Sequence, residues 1–76
     1  MDKPIKTKCF IAFLNSLECK SKRSKGSHFH YKCPGCFRPI VIREADKEIP
    51  SFHIRSNLKT LEISFEVFEA WILENC

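Results

Sequence analysis

Glycine is scarce in this chain: only Gly26 and Gly35 occur in 76 residues. A phosphate-cradling glycine loop therefore has nothing to be built from. No Ser/His/Asp set and no paired-carboxylate pattern stands out either, so the expectation is a protein that is not an enzyme. Long apolar runs are also missing. The apolar-rich stretch from Phe10 to Leu17 is too short and too interrupted to span a membrane. The opening Met-Asp-Lys-Pro-Ile-Lys lacks the apolar core of a signal peptide. These absences predict a cytoplasmic protein with no membrane partner. Acids are few in the first part of the chain, where residues 1–43 hold ten Lys/Arg and two Asp/Glu. Residues 44–76 reverse the balance, with three Lys/Arg and seven Asp/Glu. A basic first half with an acidic second half points the first half toward an anionic partner.

The length fits one small domain spanning residues 1–76, a size at which metals, disulfides or oligomerisation often supplement the core. The core itself is not starved, since 43% of residues are hydrophobic and seven are Phe. Five cysteines are present. Their odd number, the Cys-x-x-Cys spacing and the missing signal peptide argue for reduced thiols over a disulfide framework. A thioredoxin-like redox motif would need a long helix straight after its cysteines. Pro39 and the β-branched run Ile40-Val41-Ile42 argue against that helix.

Cys33-Pro34-Gly35-Cys36 is the most informative motif. Pro34 presets φ and Gly35 permits a left-handed corner, so the turn can aim two sulfurs at one zinc ion. The flanks, His28–Lys32 and Pro39–Arg43, read as the two strands of a hairpin. A tetrahedral site needs two further ligands. His53 is the expected third, because the sixteen residues between it and Cys36 suit a hairpin that leaves the knuckle and returns beside it. Cys19 and His30 are equal candidates for the fourth, ahead of His28 and then Cys9. Cys76 is expected to be a free thiol. No open coordination position with a general base is evident, which favours structural zinc.

Other elements follow from periodicity. Phe10, Phe13, Leu14 and Leu17 predict a helix over 8–19 with Thr7 as N-cap. Lys20–Ser27 reads as a basic loop. Glu44–Lys47 reads as a turn, and Glu48–Arg55 as a third strand interrupted by Pro50. A short strand to Ile63 is followed by a helix from Ser64 or Phe65 to about Glu74, burying Phe65, Phe68, Trp71 and Ile72. The fold class expected is α+β: a small zinc-ribbon-like antiparallel sheet of three to four strands, flanked by an N-terminal and a C-terminal helix.

The stretch Tyr31-Lys32-Cys33-Pro34-Gly35-Cys36, the strand Pro39-Ile40-Val41-Ile42-Arg43 and the segment Ile49-Pro50-Ser51-Phe52-His53-Ile54-Arg55-Ser56 together resemble the zinc-ribbon-like N-terminal segment of competence CoiA-like proteins. The resemblance covers residues 29–57. It implies a stand-alone accessory ribbon linked to DNA processing, without the nuclease domain that larger members carry. One departure is plain: the second histidine of the closing motif falls on Ser56, a poor zinc ligand.

The functional expectation is a zinc-binding module that contacts nucleic acid through Lys20, Lys22, Arg23, Lys25, Lys32 and Arg38. Interleaved aromatics, Phe29, Tyr31 and Phe37, are expected to stack on bases. The alternative is a protein-interaction module, such as a small phage or mobile-element regulator or inhibitor. It would dock on a larger protein through its acidic, aromatic C-terminal segment. Either form would be a monomer or a homodimer.

Overall fold

The computed structural model describes residues 3–25, 28–43 and 45–76, and of residues 23–25 the backbone alone. The chain runs β1 (Ile5–Lys6), α1 (Thr7–Ser16), β2 (Lys20–Lys25), β3 (His28–Lys32), β4 (Ile40–Arg43), β5 (Glu48–Ile49), α2 (Ser51–Leu61) and α3 (Phe65–Asn75). Strands β2, β3 and β4 form one antiparallel sheet in chain order, and β1 pairs antiparallel with β5. This is the expected α+β class, a small sheet flanked by helices, with α2 as an unforeseen addition.

Helix α1 forms where Phe10, Phe13 and Leu14 place one apolar stripe, and all three are buried. Lys6 occupies its N-cap without a side-chain hydrogen bond. Thr7, expected as the cap, instead donates its backbone N–H to the Lys47 carbonyl at 2.9 Å and its hydroxyl to the Asp46 carbonyl at 2.6 Å. The segment between β4 and β5 thereby satisfies donors that the helix start leaves free.

At the far end Glu18 N–H reaches the Asn15 carbonyl, and Cys19 N–H reaches that of Leu14. That pair of bonds is a Schellman closure, with Glu18 in the left-handed position at φ 62. Helix α2 ends the same way. Glu62 N–H bonds the Lys59 carbonyl, Ile63 N–H bonds that of Leu58, and Glu62 has φ 59.

Helix α3 starts as the sequence predicts. The Ser64 hydroxyl accepts the Val67 N–H at 3.2 Å, and Glu66 lies in the first turn, where the helix dipole favours an acid. Its buried side meets α1 through aromatic edges. The Phe13 ring lies 4.9 Å from Phe68 and 5.3 Å from Trp71, both near-perpendicular, and Phe10 lies 5.6 Å from Phe68. Such pairs add about 0.5–1.5 kcal/mol each beyond the area they bury. The inner face of the three-stranded sheet, Tyr31, Ile40 and Ile42, belongs to the same core.

Three expectations are corrected. Lys20–Ser27 is not a loop throughout: Lys20–Lys25 is strand β2, because pairing with β3 satisfies a backbone that has no apolar residue of its own. The third strand stops at Ile49, and α2 follows it. Pro50 stands at the N-cap, a position that tolerates the missing N–H, and Ile54 and Leu58 supply the buried face one turn apart. The short strand expected to end at Ile63 is replaced by the close of α2, which runs to Leu61. Of the turn expected over Glu44–Lys47, residue 44 lies outside the described residues, and the Asp46 N–H bonds the Arg43 carbonyl at 3.1 Å, as a turn between β4 and β5 requires.

The cysteines are paired. Cys9 bonds Cys76 across α1 and α3, with Cα atoms 6.0 Å apart, so Cys76 is not a free thiol. Cys19 bonds Cys33, with Cα atoms 4.1 Å apart, and Cys36 alone is free. Helix packing and strand register, neither visible in cysteine spacing, bring these partners together. Among the described residues no helix is long and apolar enough to cross a membrane.

Candidate nucleic-acid interface

Register decides which side chains of the sheet share a face. Lys20 pairs with Lys32, Lys22 with His30, and Lys25 with His28 on β2 and β3. His30 in turn pairs with Val41, and His28 with Arg43 on β4. The intervening rungs, Ser21–Tyr31–Ile40 and Arg23–Phe29–Ile42, carry the core residues. Burial follows this alternation. Lys20, Lys22, His28, Lys32, Val41 and Arg43 are exposed, whereas Tyr31, Ile40 and Ile42 are buried. A register shift between Arg23 and Lys25 puts Lys25 opposite His28.

The outer face is therefore basic. Its rungs carry Lys20, Lys22, His28, His30, Lys32 and Arg43, and the three strands hold no Asp or Glu. The Arg43 Nε lies 4.0 Å from the Asp46 carboxylate, but both side chains are more than half exposed, so the pair is weak. Like charges directly opposite on antiparallel strands are destabilising, by up to about 1 kcal/mol a pair. A ligand of opposite charge removes that penalty.

The residues expected to bind nucleic acid do not all gather here. Lys20, Lys22 and Lys32 share the face. Arg23 and Lys25 belong to β2 by their backbone. Arg38 stands apart, beside the fully exposed Phe37, in a cleft with Cys36, Lys59, Thr60 and Glu62. The aromatic expectation is corrected for Tyr31. It is 5% exposed and packs in the core, and Phe29 packs against that core, because both occupy the inward rungs. Spacing alone points His28 and His30 to a metal and does not single out Arg43. The missed signal is a period of two, Lys20 and Lys22 on one strand and His28, His30 and Lys32 on the next.

The expected zinc ligands are spread over the structure. The turn itself forms: Cys36 N–H bonds the Cys33 carbonyl at 3.1 Å, with Gly35 at φ 80. Cys33, however, is bonded to Cys19, and the Cys36 thiol points to the Thr60 carbonyl at 3.8 Å. His53 is exposed on α2, its ring 4.3 Å from that of Phe52. His30 lies on the outer sheet face between Lys22 and Val41, and Cys9 is bonded to Cys76. Among the described residues no three His, Cys, Asp or Glu side chains converge as a metal site. A donor set with two of its sulfurs joined to each other does not fit tetrahedral zinc, which binds thiolates.

No family model, curated protein or solved structure matches this chain.

Proposed function

We propose that this chain is a small nucleic-acid-binding module that contacts the phosphate backbone with the outer face of its three-stranded sheet. The observation that carries the reading is the register: Lys20, Lys22, His28, His30, Lys32 and Arg43 stand on one face of strands that contain no acid. With Tyr31 turned to the core and Phe29 packed against it, the sheet face binds by charge rather than by base stacking. Fluorescence anisotropy with labelled random single- and double-stranded oligonucleotides, titrated across salt, tests this. Affinity should fall log-linearly with salt, by about 0.7 of a slope unit per contact on single strands and about 0.9 on duplex. Replacing Lys20, Lys22 and Lys32 together by Ser should flatten the slope by two to three contacts. Unchanged affinity in that variant would remove the sheet from the proposal.

A second reading is favoured by α3. Val67 and Leu73 remain exposed beside Glu66 and Glu74, an apolar and acidic surface suited to docking on a larger, basic protein. The zinc expected from the knuckle belongs in this proposal to the reduced chain alone. Opening the Cys19–Cys33 bond frees the thiols of Cys19 and Cys33, and Cys33 shares its turn with Cys36.

A further inference from the structure

We propose that Cys19, Cys33 and Cys36 form an internal thiol–disulfide exchange centre, in which Cys36 takes over the Cys33 sulfur and frees Cys19. Three observations place the parts. First, the β2–β3 register that pairs Lys20 with Lys32 makes Cys19 and Cys33 the next rung, and their Cα separation of 4.1 Å fits a directly opposed antiparallel pair. Second, Cys33 and Cys36 are the ends of a hydrogen-bonded turn, with Pro34 and the left-handed Gly35 at its corners. Such a turn holds its end Cα atoms within about 7 Å, near the upper limit of disulfide span. Cys33 is thus bonded to one cysteine with a second at the end of its own turn. Third, Cys36 is the free thiol and opens on a solvent cleft lined by Arg38, Ser56, Lys59 and Glu62.

The step balances without an outside oxidant. Cys36 loses its proton to solvent through the cleft, and its sulfur attacks the Cys33 sulfur. The Cys33–Cys36 bond forms as the Cys19–Cys33 bond breaks. The electron pair leaves on the Cys19 sulfur, which takes a proton from solvent. One disulfide and one thiol exist before and after. The free thiol moves from the turn to the head of β2, and the covalent rung beside Lys20 and Lys32 opens. The centre stands independently of the nucleic-acid reading, since its readout is the identity of the free thiol.

The test uses the full, non-reduced chain. The protein is held in mildly alkaline buffer without added thiol or oxidant, quenched in acid, alkylated in denaturant while still acidic, and digested for peptide mapping. The label should appear on Cys19 as well as Cys36, and Cys36→Ser should abolish the Cys19 label. A Cys19→Ser variant that keeps its native circular dichroism should, on mild oxidation, lose both alkylatable thiols at Cys33 and Cys36. Label confined to Cys36 in the native protein overturns the proposal. So does a folded Cys19→Ser variant in which both thiols survive oxidation.

Discussion

Lys20 and Lys32 face each other across the β2–β3 ladder, one rung from the disulfide that joins Cys19 to Cys33. Two like charges are thus held together beside a covalent link. The magnitudes say which effect wins. The opposed lysines cost up to about 1 kcal/mol. Closing a loop of this size stabilises by about 3 kcal/mol in the chain-entropy account. The disulfide can therefore keep a ladder in register that its own side chains oppose.

Removing the links should consequently have unequal effects. Cys9 and Cys76 are 67 residues apart and Cys19 and Cys33 are 14 apart. Urea denaturation of the non-reduced variants should show Cys9→Ser losing about 4 kcal/mol and Cys19→Ser about 3 kcal/mol. Both variants staying within about 0.5 kcal/mol of the parent would mean that neither bond constrains the chain.

Position on the sheet should separate the basic residues. Lys22→Glu places an acid on the outer face opposite His30, whereas Arg38→Glu alters the cleft lined by Cys36, Lys59 and Thr60. Lys22→Glu should weaken oligonucleotide binding by roughly tenfold at moderate salt, and Arg38→Glu by much less. Equal losses would show that the whole charge of the molecule acts, with no role for a defined face.

The helix ends contain a correctable strain. Glu18 and Glu62 both take left-handed backbone at a helix C-terminus, at φ 62 and φ 59. A side chain pays a steric penalty there, and an acid also meets the negative end of the helix dipole. Glu18→Gly and Glu62→Gly should each add about 0.5–1 kcal/mol, net of glycine's larger entropy loss on folding. Thermal melts should rise by a few degrees for each. A lower melting temperature in both would rule out backbone strain at these positions.

How much of this could be read from the chain varied by element. Helix α3 was legible because Ser64 caps it and Phe65, Phe68, Trp71 and Ile72 recur at helical spacing, all local signals. Strand β2 was not. Lys20–Lys25 has no apolar residue, and its conformation comes from pairing with β3, where Tyr31 and Phe29 supply the burial. Helix α2 was hidden because Ile49, Phe52 and Ile54 blur into a strand pattern around Pro50, while its buried residues, Ile54 and Leu58, are only two. The knuckle turn was readable from Pro34 and Gly35. Cys19 reads from spacing as a candidate zinc co-ligand of Cys33 with both thiols reduced; their disulfide overturns that, and it depends on register, which no single segment encodes.

Zinc binding depends on which sulfurs are free. In the disulfide-bonded chain Cys36 is the one thiol, and zinc binds thiolates. Reduction converts Cys19 and Cys33 back to thiols beside Cys36, and Cys9 and Cys76 likewise at the α1–α3 contact. Zinc added under reducing conditions should then shield Cys19, Cys33 and Cys36 from alkylation, while Cys9 and Cys76 react freely. The same zinc added to the non-reduced chain should leave Cys36 as reactive as before. Shielding should be lost on adding a chelator, because metal and folded site are linked equilibria. Peptide mapping of the alkylated cysteines gives the answer for each residue separately. If zinc shields none of the three in the reduced chain, Cys33 and Cys36 form a turn without a metal. If it shields Cys36 in the non-reduced chain, donors other than Cys19 and Cys33 complete the site.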